Sequence, residues 1–186
     1  FEPHNVNVHS QRNLPLVFIG SGKHAPNIRA VQKLCDLANE DLIQHEIDIF
    51  GSDQDHLREK LNNHTGKGIY LKGYASNLRD TLKKYRIGLA LIDYGAGVNG
   101  KVLDYLAAGC EVICSPLVAS GLPSDLRGYC TVYKSGDLQS CIENILKRPP
   151  RKEKDCAEIH LKLNRHYGPE KWKEFITECD HYFAER

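Results

Sequence analysis

Methionine is absent from all 186 residues, position 1 included, and tryptophan occurs once. An open reading frame begins with methionine, so we expect a fragment or processed form with sequence missing upstream. Long apolar runs are missing too. None nears the ~18 residues of a membrane-spanning helix, and Phe1-Glu2-Pro3-His4 does not open a signal peptide. The chain therefore reads as soluble and cytoplasmic, with any peripheral attachment to a membrane left to a missing domain. Charge of one sign is lacking as well: 25 Lys and Arg stand against 24 Asp and Glu. That near-balance excludes a nucleic-acid footprint and a polybasic membrane tether, so a bound anion must be held locally. Seven cysteines include no Cys-x-x-Cys pair, and Cys35, Cys110, Cys114 and Cys141 sit among apolar neighbours. They read as reduced core thiols of a reducing compartment. Nine histidines form no His-Glu-x-x-His and no Cys/His cluster, so neither a metal nor another cofactor is expected.

What is present is alternation. Apolar strand segments at 16–19, 43–50, 69–71, 87–92, 111–114 and 131–133 are separated by helical patterns. Pro26 suits the first turn of the first helix, whose inward face carries Ile28, Val31, Leu34 and Cys35. Asp53 is expected to cap the second helix and Ser76 the third, which carries Leu78 and Leu82; Gly136-Asp137 opens a later one. Right-handed crossovers then predict an α/β, Rossmann-like, doubly wound parallel sheet of about six strands, with ligands at the carboxyl ends of the strands. The expected division is an extension over 1–12, the Rossmann-like domain over 13–147, and a helical tail over 148–186. The tail begins with Lys147-Arg-Pro-Pro-Arg-Lys-Glu-Lys154 as a linker. Two helices follow, 155–166 and 169–183, split by Tyr167-Gly168; His160 and His166 are expected to face solvent, and Trp172, Phe175, Ile176 and Cys179 form an apolar stripe.

The most informative segment is Leu89-Ala-Leu-Ile-Asp-Tyr-Gly-Ala-Gly-Val-Asn-Gly-Lys-Val-Leu-Asp-Tyr-Leu-Ala-Ala-Gly109. An apolar strand runs into a glycine-rich turn and then into an amphipathic helix. Backbone amides of such a turn can approach a phosphate, and the helix aims its positive dipole end at the same place. Lys101 and Asp104, three apart, share a face, where the cation reaches phosphate and the carboxylate accepts from sugar hydroxyls. Gly20-Ser21-Gly22-Lys23, after the first strand, is a second glycine turn at the same edge.

Together, Phe18-Ile-Gly20, Lys72-Gly-Tyr74, Gly97-Val-Asn-Gly-Lys-Val-Leu-Asp104, Tyr105-Leu-Ala-Ala-Gly109 and the loop over 115–122 resemble the C-terminal domain of GT-B glycosyltransferases. The resemblance is to family four, the large set of retaining enzymes that use nucleotide-sugar donors, and it covers the chain from Leu14 onward. Its most specific part is the run from Lys101 to Gly109, similar to the family's Lys-x-Leu-Glu-x-x-Ala-x-Gly. The resemblance implies transfer of a sugar from a UDP- or GDP-linked donor with retention of configuration. It also implies that the ribose is bound at Asp104, where the family usually has Glu. The implied donor-binding set is Gly20, Ser21, Gly22, Lys23, Tyr74, Ala75, Gly97, Val98, Asn99, Gly100, Lys101 and Asp104, with Tyr74 and Ala75 at the base. Two departures stand out: Ala96 occupies a position often held by Glu, and no Arg accompanies Lys23. The family's acceptor-binding N-terminal domain is not visible here, so the chain alone is expected to bind donor and turn over little.

Two other readings stay open. Gly20-Ser-Gly22-Lys-His-Ala25 fits the Gly-x-Gly-x-x-Ala of a dinucleotide fold, hence an NAD-dependent or nucleotide-sensing module. Asp48 and Asp53 are poorly spaced for the acid that fold needs, and Pro26 starts the helix late. A non-catalytic interaction domain derived from a glycosyltransferase is the third.

Overall fold

The computed structural model describes residues 14–95, 99–134 and 136–171. Six strands, β1 (Leu14–Ile19), β2 (Ile47–Phe50), β3 (Ile69–Gly73), β4 (Tyr85–Ala90), β5 (Glu111–Cys114) and β6 (Cys130–Val132), pair in parallel in the order β3-β2-β1-β4-β5-β6. The flanking helices are α1 (Ala25–Asn39), α2 (Gln54–Lys60), α3 (Leu78–Leu82), α4 (Gly100–Ala107), α5 (Pro116–Ser120), α6 (Ser124–Arg127), α7 (Leu138–Leu146) and α8 (Glu153–Tyr167). Strand order reverses between β1 and β4. The loops leaving these two neighbours run to opposite sides, which opens a crevice at the carboxyl edge of the sheet.

β4 is buried at every residue, as a central parallel strand must be. It starts two residues before the apolar run and takes in the buried Arg86, whose guanidinium is held by the chain at the end of α7. Its Nη2 donates to the carbonyls of Ile145 (3.3 Å), Arg148 (3.0 Å) and Pro149 (2.9 Å) at the end of α7. Glu111 lies 4.0 Å from Arg86 and 3.1 Å from Arg151, so the Pro-Pro segment after α7 is tied to the lower edge of β4 and β5. A charge that looks like a strand breaker in the sequence is here the anchor of the strand.

Gly88 decides how α4 lies on the sheet. A Cβ at that position would fall 2.3–2.5 Å from ring atoms of Tyr105, so the absent side chain makes room for the ring. Tyr105 is fully buried; its hydroxyl accepts from the Ile19 amide (2.8 Å) and donates to the Leu89 carbonyl (3.1 Å). One phenol therefore joins β1 to β4 where their loops part, and it fixes the roll of the helix that carries Lys101 and Asp104.

Several boundaries differ from the sequence expectation, each for a local reason. The second strand covers only 47–50, because Asp41 turns the chain with a φ of +55° and residues 42–46 lead in without pairing. Asp53 occupies the N-cap position of α2 with a φ of +57° and makes no capping bond, since its carboxylate is taken by Ser21, Ser52 and Lys23. α3 is capped by Asn77, which accepts from the Asp80 amide, in place of Ser76. The expected loop over 115–122 holds α5, capped by Ser115, and α6 follows. His160 and His166 do not simply face solvent: His160 Nε2 donates to the Ala107 carbonyl (2.9 Å) and His166 Nε2 lies 2.9 Å from Asp125. α8 buries Cys156, Ile159 and Leu163 and shares the core of the sheet. The second tail helix, with Trp172, Phe175, Ile176 and Cys179, lies outside the described residues beyond Lys171. The six described cysteines are all free thiols.

Candidate functional site

The crevice holds two connected clefts with Lys101 in the wall of both. The first, about 350 Å³, is bounded by the ends of β1 and β2 (Gly20, Ser21, Gly51), by Tyr74 and Ala75 after β3, and by Asp104 on α4. The second, about 540 Å³, lies between His24 and Asn27 at the start of α1, Asn99 and Gly100 at the start of α4, and Leu117 and Ser120 of α5. Adjacent strands and their loops thus bring Gly20, Ser21, Tyr74, Ala75, Lys101 and Asp104 to one cleft, and Asn99, Gly100 and Lys101 to the other. Gly22 and Lys23 are on the β1 turn but wall neither. Gly97 and Val98, together with Ala96, lie outside the described residues.

The two glycine turns are unlike in what they offer an anion. In the β1 turn, the Gly20 amide donates to Phe50 O (2.9 Å) and the Gly22 amide to Ser52 O (2.9 Å). The Lys23 amide donates to Ser21 Oγ (3.2 Å), and Lys23 Nζ lies 2.6 Å from Asp53. Asp53 also accepts from Ser21 Oγ (3.2 Å) and Ser52 Oγ (2.7 Å), and Lys23 holds its carboxyl down to about 2. This turn is a braced wall, its Gly20 and Gly22 amides bonded across to the chain after β2. At the start of α4 the case is opposite. Among the described residues, the Gly100 and Lys101 amides find no acceptor, as first-turn amides of a helix do not, and a side chain at Gly100 would meet open space.

Lys101 is the electrostatic centre. Its ammonium donates to Asn27 Oδ1 (2.7 Å) and lies 4.2 Å above the centre of the Phe18 ring. No carboxylate among the described residues pairs with it, and burial pulls its pKa down to about 7. Asp104, one turn along the same helix, opens into the first cleft with its carboxyl raised by partial desolvation. Its carboxylate has no hydrogen-bond donor among the described residues. The arrangement is an unneutralised cation and a free acceptor on one face of a helix, beside unpaired amides: sites for an anion and for hydroxyls, side by side. Tyr74, 79 % exposed, stands at the rim of the first cleft.

Sequence reasoning missed Asn27. It sits in the first turn of α1, is 8 % exposed, and gives Nδ2 to the Ser21 carbonyl (3.1 Å) while accepting from Lys101. An asparagine just inside a helix carries no signal of its own, and Lys101 lies 74 residues away. His24 was read only as a filler of the glycine pattern, yet it helps wall the second cleft.

The sequence profile of the glycosyl transferases group 1 matches residues 11–148. The chain belongs to that family. Solved GT-B structures match this group 1 domain over nearly its whole length. TarM aligns with 14 % identity and a TM-score of 0.61, covering 95 % of this chain and 37 % of TarM; one TarM structure, from S. aureus, was solved with UDP. The trehalose-6-phosphate synthase OtsA aligns with 14 % identity and a TM-score of 0.61, over 90 % of this chain and 43 % of OtsA. The pneumococcal O-GlcNAc transferase GtfA, solved with UDP and GlcNAc, aligns with 20 % identity and a TM-score of 0.51, over 92 % of this chain and 37 % of GtfA. The chain thus spans about two fifths of the length of these proteins, and its likeness to them is one of fold. No curated protein gives a significant match. No helix of the described residues is long and apolar enough to cross a membrane, and no group of three metal-ligating side chains occurs among them.

Proposed function

We propose that this group 1 chain is the donor-binding domain of a retaining glycosyltransferase and takes a UDP- or GDP-linked sugar. The observation that carries the reading is Lys101: a half-buried ammonium that no carboxylate among the described residues pairs with, one helical turn from Asp104, at the crevice between β1 and β4. In this reading the base rests near Tyr74 and Ala75, the ribose hydroxyls donate to Asp104, and the diphosphate meets Lys101 and the open amides of α4. The sugar lies toward the second cleft. As the glycosidic bond breaks, negative charge gathers on the departing diphosphate, and a cation and amides fixed there stabilise it without a metal. Residues 13–147 form the nucleotide-sugar domain and 148–186 its helical tail. A separate acceptor-binding domain, N-terminal and cytoplasmic with it, completes the enzyme. That TarM and GtfA were solved with UDP supports the choice of nucleotide.

The dinucleotide reading loses its acid, because Asp53 is engaged by Lys23, Ser21 and Ser52, and Asp48 by Lys72 (3.5 Å) and the Tyr85 hydroxyl. Calorimetric titration with UDP, GDP, ADP and NAD separates the possibilities. Binding of UDP or GDP that weakens about tenfold or more in Asp104→Ala is expected, as for loss of a hydrogen-bonded charged group. Binding of NAD alone refutes the donor site, and binding of none leaves the interaction-domain reading.

A further inference from the structure

We infer that Asn27 is the positioning residue of the anion site: its carboxamide, clamped between the Ser21 carbonyl and the Lys101 ammonium, holds that cation in place without neutralising it, which keeps the charge for a nucleoside diphosphate. The inference rests on the donor-site reading and adds to it a residue and a reason for its type.

Three observations fix the clamp. The Ser21 carbonyl can only accept and the ammonium can only donate, so Nδ2 must face Ser21 (3.1 Å) and Oδ1 must face Lys101 (2.7 Å); a flipped amide fails at both ends. The carboxamide packs directly against the Gly20 backbone, where a Cβ would lie 2.5–2.9 Å from its atoms. The ring of Phe18 closes the cation from below at 4.2 Å. The β1 turn, α1 and α4 therefore meet at one amide, and the place of the Lys101 ammonium is set by three elements rather than by its flexible stem.

The chemistry explains why an amide is present where a carboxylate would also fit. An aspartate would pair with Lys101 and give it a fixed counter-ion, which an arriving phosphate must compete with. It would also set an acceptor against the Ser21 carbonyl. The amide orients the ammonium and leaves its charge uncompensated. Among the described residues Asp104 forms no ion pair with Lys101, and Lys23 and Asp53 satisfy each other across the turn.

The test compares Asn27→Asp and Asn27→Ala with the wild-type chain, titrating UDP and uridine in parallel. Uridine reports the base and ribose contacts; UDP adds the phosphates. Each variant is expected to lose about tenfold or more in UDP affinity while uridine affinity moves less than about twofold. Equal losses for both ligands make Asn27 a structural residue only, and unchanged UDP binding in Asn27→Asp refutes the role of the neutral amide. If Asn27→Asp does not fold, Gly20→Ala reaches the same carboxamide from the other side and is expected to show the same selective loss; retention of UDP affinity there refutes the clamp. If wild-type chain binds no nucleoside diphosphate, the donor-site reading fails. The clamp is then judged in the ligand-free chain by the 13Cε resonance of Lys101, which Asn27→Ala shifts if the amide sets the ammonium's surroundings and leaves in place if it does not.

Discussion

Replacing Lys101 by Met separates the cost of holding a half-buried ammonium from its use. Met keeps the apolar stem against Phe18 and removes the charge. In the folded chain burial draws the Lys101 pKa from the ordinary 10.5 to about 7. At about 1.4 kcal/mol per factor of ten, that gap corresponds to about 4–5 kcal/mol of disfavour for the charged form. The sign follows from proton counts. Above about pH 7 the unfolded chain keeps the lysine proton that the folded chain gives up, so the contribution of Lys101 to stability rises with pH and levels off near 10.5. Urea unfolding of wild type and Lys101→Met at pH 7, 8 and 9 is expected to show a difference that drifts by about 1–3 kcal/mol toward wild type as pH rises. Phosphate entering the site restores the proton, so UDP binding above pH 7 should take up a proton in wild type, read by calorimetry in buffers of different ionisation enthalpy. Lys101→Met should bind UDP at least tenfold more weakly, with no such uptake. Parallel stability curves would show that Lys101 is not held as a strained cation, and unchanged UDP affinity in Lys101→Met would remove it from the phosphate site.

Two further substitutions test the frame around that lysine. Tyr105→Phe leaves the buried Ile19 amide without its acceptor and is expected to cost about 1–3 kcal/mol in urea unfolding; a loss below about 0.5 kcal/mol would mean that the phenol does not join β1 to β4. Asp53→Asn addresses the brace of the β1 turn. The Asp53 carboxyl is held at about 2 against an ordinary 3.8, so its stabilising contribution is present above pH 3.8 and is lost as pH falls toward 2. Thermal unfolding between pH 4 and 2 should therefore fall less steeply in Asp53→Asn than in wild type, and equal slopes would place the acid sensitivity elsewhere.

The sheet was legible because its signals are short-range: apolar runs, glycine turns and one well-placed proline each act within a few residues. What escaped was decided across the fold. Arg86 lengthens β4 because the end of α7 supplies three carbonyls, which no window around residue 86 reveals. Asp53 reads as a helix cap until Ser21 and Lys23, thirty residues earlier, take its oxygens. The run Gly20-Ser21-Gly22 reads in sequence as a second glycine turn at the same edge. Its Gly20 and Gly22 amides are spent on β2-side carbonyls, whereas the Gly100 and Lys101 amides at the start of α4 find no acceptor among the described residues. Glycine content gives a chain the option of approaching a phosphate; the neighbouring strand decides whether the amides remain free.

The same distinction bears on why Lys101, rather than the more exposed Lys23, is the cation to expect at an anion. Lys23 has its own carboxylate at 2.6 Å, and an incoming phosphate would have to displace a partner already in place. Lys101 has an amide and an aromatic face, both of which orient the ammonium and neither of which cancels its charge. A half-buried ammonium without a counter-ion gains most when an anion arrives, because Coulomb attraction strengthens as water is excluded. Gly88 lets Tyr105 lie flat, Tyr105 sets the roll of α4, and Asn27 fixes the head of Lys101. Each step acts on the geometry of a single nitrogen, so the affinity of the site for phosphate is a property of the strand order β1–β4 as much as of the lysine itself.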